Sequence, residues 1–393
     1  MASNAVTIVP SAQIGNWIKD NDMIVSKMRR VALACLALVM LAMPVPVIAD
    51  SASDSARAVY LYTLGTQHLQ AGDPKAAVGN LERALALSRG TANAELIASV
   101  SSNLGLAYHA LGDLARAEEL QNRALALHRE LNNKEGMARD YGNLGIVYRA
   151  RSNLARAEEA YLEALKLNQE LGRDLGIANI YGNLGYIYHL RGDTYRAEET
   201  YIKALALHKQ LGLKDSVAAD YNNLGLLYQS RGNLNKRAAE TYLKALEIYE
   251  KTGNKKGLAD TYGNLGILYS ATSDLDRAEE MHRQALKIDL ELGHKQGIAI
   301  EYANLGDIYK RRNDLARAEQ MRAKALAIDE EIGNKDGIAS DHAGLGEVYL
   351  LRDDMPKACA HLRKARELFA ELGTRDKLEK TEEFLKDTAC PNG

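Results

Sequence analysis

Proline is scarce in this chain, with 6 in 393 residues, and Cys (3), Phe (2) and Trp (1) are scarcer still. Few prolines mean few helix breakers, and the runs of β-branched residues that would favour strands are missing as well. So are the short motifs that carry chemistry. There is no Gly-rich phosphate loop, no Gly-x-Ser-x-Gly, no His-Glu-x-x-His and no Cys-x-x-Cys. The nine histidines are scattered, and His109 and His189 read as groove or surface residues rather than metal ligands. Net charge is -2 without a basic stripe to neutralise phosphates, so nucleic acid is not an expected partner. No catalysis, metal or cofactor is expected.

What the chain has in quantity is Ala, Leu, Glu, Lys and Arg, within a composition 46% hydrophobic and 26% charged. These residues favour helix. They also repeat. One Leu-Gly pair recurs at Leu64, Leu104, Leu144, Leu184, Leu224, Leu265, Leu305 and Leu345, every 40 residues with a single 41-residue step near Asn235 and Lys236. Around it recur Asn-Leu-Gly-x-x-Tyr, a Gly-Asp or Ser-Asn turn, Arg-Ala-Glu-Glu and Ala-Leu-x-Leu. A fixed period of this length means stacked supersecondary units, each burying its apolar face on its neighbours, instead of a closed core.

The N-terminal text is different. Lys27, Arg29 and Arg30 precede the charge-free run Val31 to Ala49, which is followed by Asp50-Ser51-Ala52-Ser53. A basic start, apolar middle and small-residue exit predict a signal peptide over 28–49, cleaved after Ala49, with 50–56 as a linker. An uncleaved anchor is the alternative, since the run approaches the ~20 residues that span a bilayer. Pro44 and Pro46 favour cleavage. Either way the repeats are expected outside the cytoplasm, periplasmic or secreted, without further membrane insertion. Residues 1–27 read as an extension upstream of the true start, with translation beginning at Met23 or Met28.

The third unit, from Gly136 to Gly172, shows how the text folds. Tyr141, Leu144, Gly145 and Tyr148 line one face of a first helix. Arg151-Ser152-Asn153 breaks the pattern, and Asn153 can cap a second helix carrying Ala157, Tyr161, Ala164 and Leu165 on one face. Leu171-Gly172 stops it. Gly145 and Ala157 are small where the two helices must cross.

This pattern resembles the tetratricopeptide repeat in a lengthened, 40-residue form like that of kinesin light chains and of spindle-orienting G-protein-signalling modulators. Leu144-Gly145, Tyr148, Ala157, Tyr161 and Ala164 fall at the family's signature positions, while Leu-Gly replaces its usual proline after the second helix. The resemblance spans about residues 57–388. It implies an all-α, right-handed superhelical solenoid of about eight antiparallel helix pairs over 57–375, with first helices lining a concave surface and no enzymatic activity.

Function should lie on the first-helix face away from the signature residues, which in the third unit carries Arg139, Asn143, Ile146 and Ala150. Asn103, Asn143, Asn183, Asn223, Asn264 and Asn304 recur there, although Asn costs roughly half a kcal/mol against Ala inside a helix. Six such costs suit amides that bind the backbone of an extended peptide, a use that lengthened tetratricopeptide families imply; the alternative is a ladder bridging neighbouring helices. Three residues on, Leu106, Ile146, Tyr186, Leu226 and Ile267 form an apolar stripe, which gives way to Asp307 and Glu347 with Lys310 and Arg311 nearby. Arg116, Arg156, Arg196, Arg237, Arg277 and Arg317 form a second row, expected to pair weakly with glutamates three residues on, such as Glu119, Glu159 and Glu280.

A charged helix over 376–388 with Leu378, Phe384 and Leu385 reads as a cap, before a tail at 389–393. Signal removal leaves Cys359 and Cys390. The legs from Cys359 to Gly373 and back to Cys390 are each ~20–25 Å at about 1.5 Å per residue, so antiparallel packing brings the sulfurs together in a disulfide, or leaves two thiols. The leading expectation is a monomeric scaffold that binds a peptide or protein segment in its groove. The alternative is a structural spacer or self-assembling scaffold without a groove ligand.

Overall fold

The computed structural model describes residues 53–91, 93–388 and 390. The expected signal segment therefore lies outside the described residues. Those residues are all-α, forming 17 helices and no strand. None of these helices is long and apolar enough to cross a membrane.

Two compact bodies divide the chain at Ser216/Val217. The N-terminal body holds four helix pairs: α1 (Asp54–Gln70) with α2 (Pro74–Arg89), α3 (Ala94–Ala110) with α4 (Leu114–Glu130), α5 (Lys134–Ala150) with α6 (Leu154–Glu170), and α7 (Asp174–Leu190) with α8 (Thr194–Gln210). Helix α9 (Lys214–Ser230) begins at the division. The C-terminal body continues with α10 (Asn235–Thr252), then α11 (Lys255–Ala271) with α12 (Leu275–Leu292), α13 (Lys295–Arg311) with α14 (Leu315–Ile332), and α15 (Lys335–Leu351) with α16 (Met355–Leu372), closed by α17 (Arg375–Asp387). Within each body, every second helix also packs on the first helix of the next pair, which is how a solenoid buries apolar surface without a central core.

Local chemistry sets the boundaries. Asn153 caps α6 by accepting from the backbone N–H of Arg156, and Asp113, Asp193, Asp274, Asp314 and Asp354 do the same for α4, α8, α12, α14 and α16. The 41-residue step falls where Leu234 begins α10 with no such side-chain cap, after a turn through Gly232. Gly172 turns the chain between α6 and α7 with φ +64°, a conformation that favours glycine.

Inside a pair the crossing is tight. A Cβ on Gly145 would sit 2.5 Å from Cε1 of Tyr161, whose ring is fully buried beneath it. Ala157 and Ala164 are buried beside it, so α5 and α6 approach closely enough for the ring to fill the gap.

Candidate binding face

Leu106, Ile146 and Tyr186 in the N-terminal body, and Leu226 and Ile267 in the C-terminal body, are all partly exposed, whereas the Leu of each Leu-Gly pair from Leu104 onward is buried. The stripe thus lies at the surface of the first helices. Asp307 and Glu347, in the same register, are partly exposed as well.

The asparagine row divides by partner. Asn103 donates to the Tyr62 hydroxyl at 3.3 Å and Thr66 Oγ1 at 3.0 Å; Asn143 donates to Ser102 Oγ and Gln121 Oε1, both at 3.2 Å; Asn264 donates to Asn222 Oδ1 at 3.1 Å. Each of these bonds reaches the preceding helix pair. Asn183, only 7% exposed, and the half-buried Asn223 have no side-chain partner among the described residues. The Nδ2 of Asn304 and the Oδ1 of Asn143 are buried without one. Amides that donate and accept are left open beside the apolar stripe.

Charge along this face differs between the bodies. In the N-terminal body, α5 carries Arg139 near its start and Arg149 near its end. Both have buried guanidinium nitrogens with no hydrogen-bond partner, Nε and Nη2 of Arg139 and Nε of Arg149. The guanidinium of Arg149 lies over the Tyr186 ring at 5.2 Å. Burial lowers the pKa of His109, with Arg149 adding to the effect, and burial alone lowers that of His189. In the C-terminal body the charges are matched. Lys310 pairs with Asp307 and Glu347, and Arg322 joins Asp307 at 2.6 Å to Asp341 at 3.0 Å. Burial pushes the Asp307 carboxyl up, but Arg322 and Lys310 outweigh it and hold the pKa at about 2. Arg311 is not part of this cluster; it donates to the Ser270 carbonyl, Ser270 Oγ and Ser273 Oγ.

Beneath the face lies a buried network that sequence reasoning missed. Ser102 donates to Asp140 Oδ1 at 2.8 Å, and the other Asp140 oxygen meets His128 Nδ1 at 2.6 Å, with both of these partners fully buried. The available signal was Gly136, whose missing Cβ leaves room for the His128 ring at 2.4 Å.

The arginine row has other partners than expected. Arg116, Arg196, Arg277 and Arg317 pair with the aspartates three residues before them, which also cap their helices. Arg156 and Arg196 reach Glu118 and Glu158 of the preceding pair. All six guanidinium groups lie 4.2–5.3 Å from the ring centroid of a first-helix tyrosine, as Arg156 does over Tyr148. At the other end, a disulfide joins Cys359 of α16 to Cys390 beyond α17, with Cα atoms 5.7 Å apart. Among the described residues, no three or more His, Cys, Asp or Glu converge as metal ligands would.

Comparison with known proteins fits this architecture. A tetratricopeptide repeat family model matches residues 96–170, 176–236, 234–291 and 297–371. The apo quorum sensor NprR from B. thuringiensis is similar in fold, with a TM-score of 0.64 at 14% identity, covering 91% of this chain and 98% of that one. A Rap protein complexed with Competence and Sporulation Factor gives a TM-score of 0.56 at 15% identity, covering 85% and 98%. A Podosopora anserina kinesin-light-chain protein of nearly identical TPR-like repeats gives 0.44 at 21% identity, covering 50% and 97%. Among curated proteins, none matches the chain. With the repeat model covering well over half its length, the chain belongs to the tetratricopeptide repeat family, whose fold is a protein-interaction scaffold.

Proposed function

We propose that this protein binds an extended peptide or protein segment along the exposed face of its first helices. The observation that carries the reading is the pairing of a partly exposed apolar stripe with open amides: Tyr186 stands one helical turn from Asn183, which has no partner of its own. An apolar side chain of the ligand gains by covering Tyr186, and its backbone supplies the donor and acceptor that Asn183 lacks. The bridging bonds of Asn103, Asn143 and Asn264 give those residues a structural share in the same row. A fold neighbour with a bound factor is in keeping with this use of the fold.

The scaffold acts outside the cytoplasm in this reading. The basic start and charge-free run before Asp50 support export, and the Cys359–Cys390 bond suits an oxidising compartment. N-terminal sequencing of protein from the soluble envelope fraction should begin at Asp50; recovery from cytosol would refute export. For binding, immobilised full-length protein should enrich a consensus from a displayed random 12-residue peptide library. Failure to enrich any sequence over an unrelated helical protein would count against a groove ligand.

A further inference from the structure

The last helix pair departs from the repeat at two facing positions. On α15, His342 stands in the register where the five preceding pairs carry Tyr141, Tyr181, Tyr221, Tyr262 and Tyr302. On α16, His361 stands where other pairs carry a residue without ligand nitrogen, as Ala160, Thr241 and Met321 do. No other pair has a histidine at either position, and this one has it at both. The packing of α15 on α16 turns the two toward each other. His342 Nδ1 lies 2.8 Å from His361 Nδ1, with the ring planes 41° apart. The His361 ring stacks on Tyr349 with centroids 5.4 Å apart, and the Tyr349 hydroxyl donates to Glu319 Oε1 of α14 at 2.6 Å. One imidazole is thus held from behind, while both side chains keep part of their surface in solvent.

With nothing between them, one Nδ1–H donates to the other Nδ1. The same spacing has a second use. Two nitrogens 2.8 Å apart stand as neighbouring ligands do around a square-planar or tetragonal ion with bonds of about 2.0 Å, whereas tetrahedral zinc asks for roughly 3.3 Å. Charge alone draws no cation here. Lys364 stands near His342 and Lys357 near His361, against one carboxylate, Glu319, which already holds Tyr349 and Arg352. A hard cation such as Ca²⁺ needs several oxygen ligands and finds none converging on this pair. An ion that gains from the imidazole bonds themselves is the one these residues suit.

We propose that His342 and His361 form a two-imidazole site for a divalent transition ion, Cu²⁺ before Ni²⁺ or Zn²⁺, which ties α15 to α16 with water in its remaining positions. Imidazole sites generally hold Cu²⁺ most tightly of the three, and the nitrogen spacing agrees. For both Nδ1 atoms to coordinate, the proton between them moves to Nε2 of the ring that carried it. Each ring tilts to turn its lone pair onto the ion, and no proton is lost to solvent. The site lies on the side of the signature tyrosines, so it stands independently of the peptide-binding reading above.

The test titrates full-length protein with Cu²⁺, buffered by glycine so that weak sites stay empty, and follows electron paramagnetic resonance and circular-dichroism melting. The double variant His342→Tyr, His361→Thr carries the residues of an earlier pair, so without metal it should melt as wild type does. Every other histidine is common to both proteins, which isolates this pair. Wild type should take up one Cu²⁺ with nitrogen hyperfine structure from two imidazoles, about tenfold or more tightly than the double variant. Its melting temperature should rise with Cu²⁺, and that of the double variant should not. His361→Gln, which removes one ligand with little change in size, should lose the tight binding as well. Ni²⁺ and Zn²⁺ should bind more weakly than Cu²⁺, and Ca²⁺ should leave melting unchanged. Equal Cu²⁺ affinity in wild type and both variants, no Cu²⁺ bound by wild type, or another of these ions bound more tightly than Cu²⁺ would each overturn the proposal.

Discussion

Replacing a helical glycine by alanine should stabilise this protein at Gly79 and destabilise it at Gly145, and the contrast isolates what holds a helix pair together. In both helices the change gains roughly 1 kcal/mol of helix propensity. At Gly79, exposed on α2, a new Cβ would meet nothing within 4 Å, so the gain should appear whole. At Gly145 the Cβ would stand 2.5–2.7 Å from three atoms of the Tyr161 ring. That ring is fully buried between α5 and α6, so the ring or the helices must shift to admit the new Cβ. Overpacking of this kind costs typically about 1–3 kcal/mol. The propensity term cancels between the two variants, leaving a difference of about 1–3 kcal/mol in favour of Gly79→Ala. Urea titrations followed by circular dichroism, compared at their midpoints because repeat arrays need not unfold in one step, measure it. A Gly145→Ala protein as stable as Gly79→Ala would refute the close-crossing argument.

Three other outcomes follow. Neither Cys359 nor Cys390 should react with alkylating reagent in native, unreduced protein, and Cys390→Ser should loosen the C-terminal cap, since a cross-link at a sequence separation of 31 is worth about 3–4 kcal/mol in the chain-entropy picture; unchanged melting would contradict this. Burial holds the Asp260 carboxyl up at about 6 against an ordinary 3.8, so its contribution to stability is full below about pH 4 and lost as pH rises through 6. Asp260→Asn should therefore lose less melting temperature than wild type between pH 4 and pH 7, and parallel curves would refute the assignment. Light scattering across concentration should give a constant monomer mass, whereas mass rising with concentration would favour the self-assembling alternative.

The 40-residue period made the helix pairs legible, because each pair repeats the same caps, the same small residues at the crossing and the same apolar face. Asn153 and Gly145 could be placed from text alone, since capping and close approach depend on neighbours a turn away. Partners chosen by tertiary packing could not. His128 and Asp140 sit on different helices, and only the packing of α4 on α5 buries them together. The arginine row looked like pairing with glutamates three residues ahead, but for Arg116, Arg196, Arg277 and Arg317 the helix-capping aspartates three residues behind are the partners, and the tyrosine rings of the first helices lie under the guanidinium groups. The asparagine row shows the same limit. Sequence marks six equivalent positions, while the bonds of Asn103 to Tyr62 and of Asn264 to Asn222 depend on which residue the preceding pair presents.

The central claim, that the first-helix face is where this scaffold holds its partner, is tested most directly by the affinity of one library-selected, fluorescently labelled peptide for four proteins. These are wild type, Asn183→Ala, Tyr186→Ala and Arg156→Ala, each also melted by circular dichroism. Tyr186→Ala should weaken binding about tenfold or more, as loss of an aromatic anchor does, and Asn183→Ala about fivefold for one lost hydrogen bond. Arg156→Ala, over half exposed and stacked on Tyr148, should leave affinity unchanged, and Asn183→Ala should melt no lower than wild type. Equal affinity across all four proteins, or binding lost only in Arg156→Ala, would contradict the account.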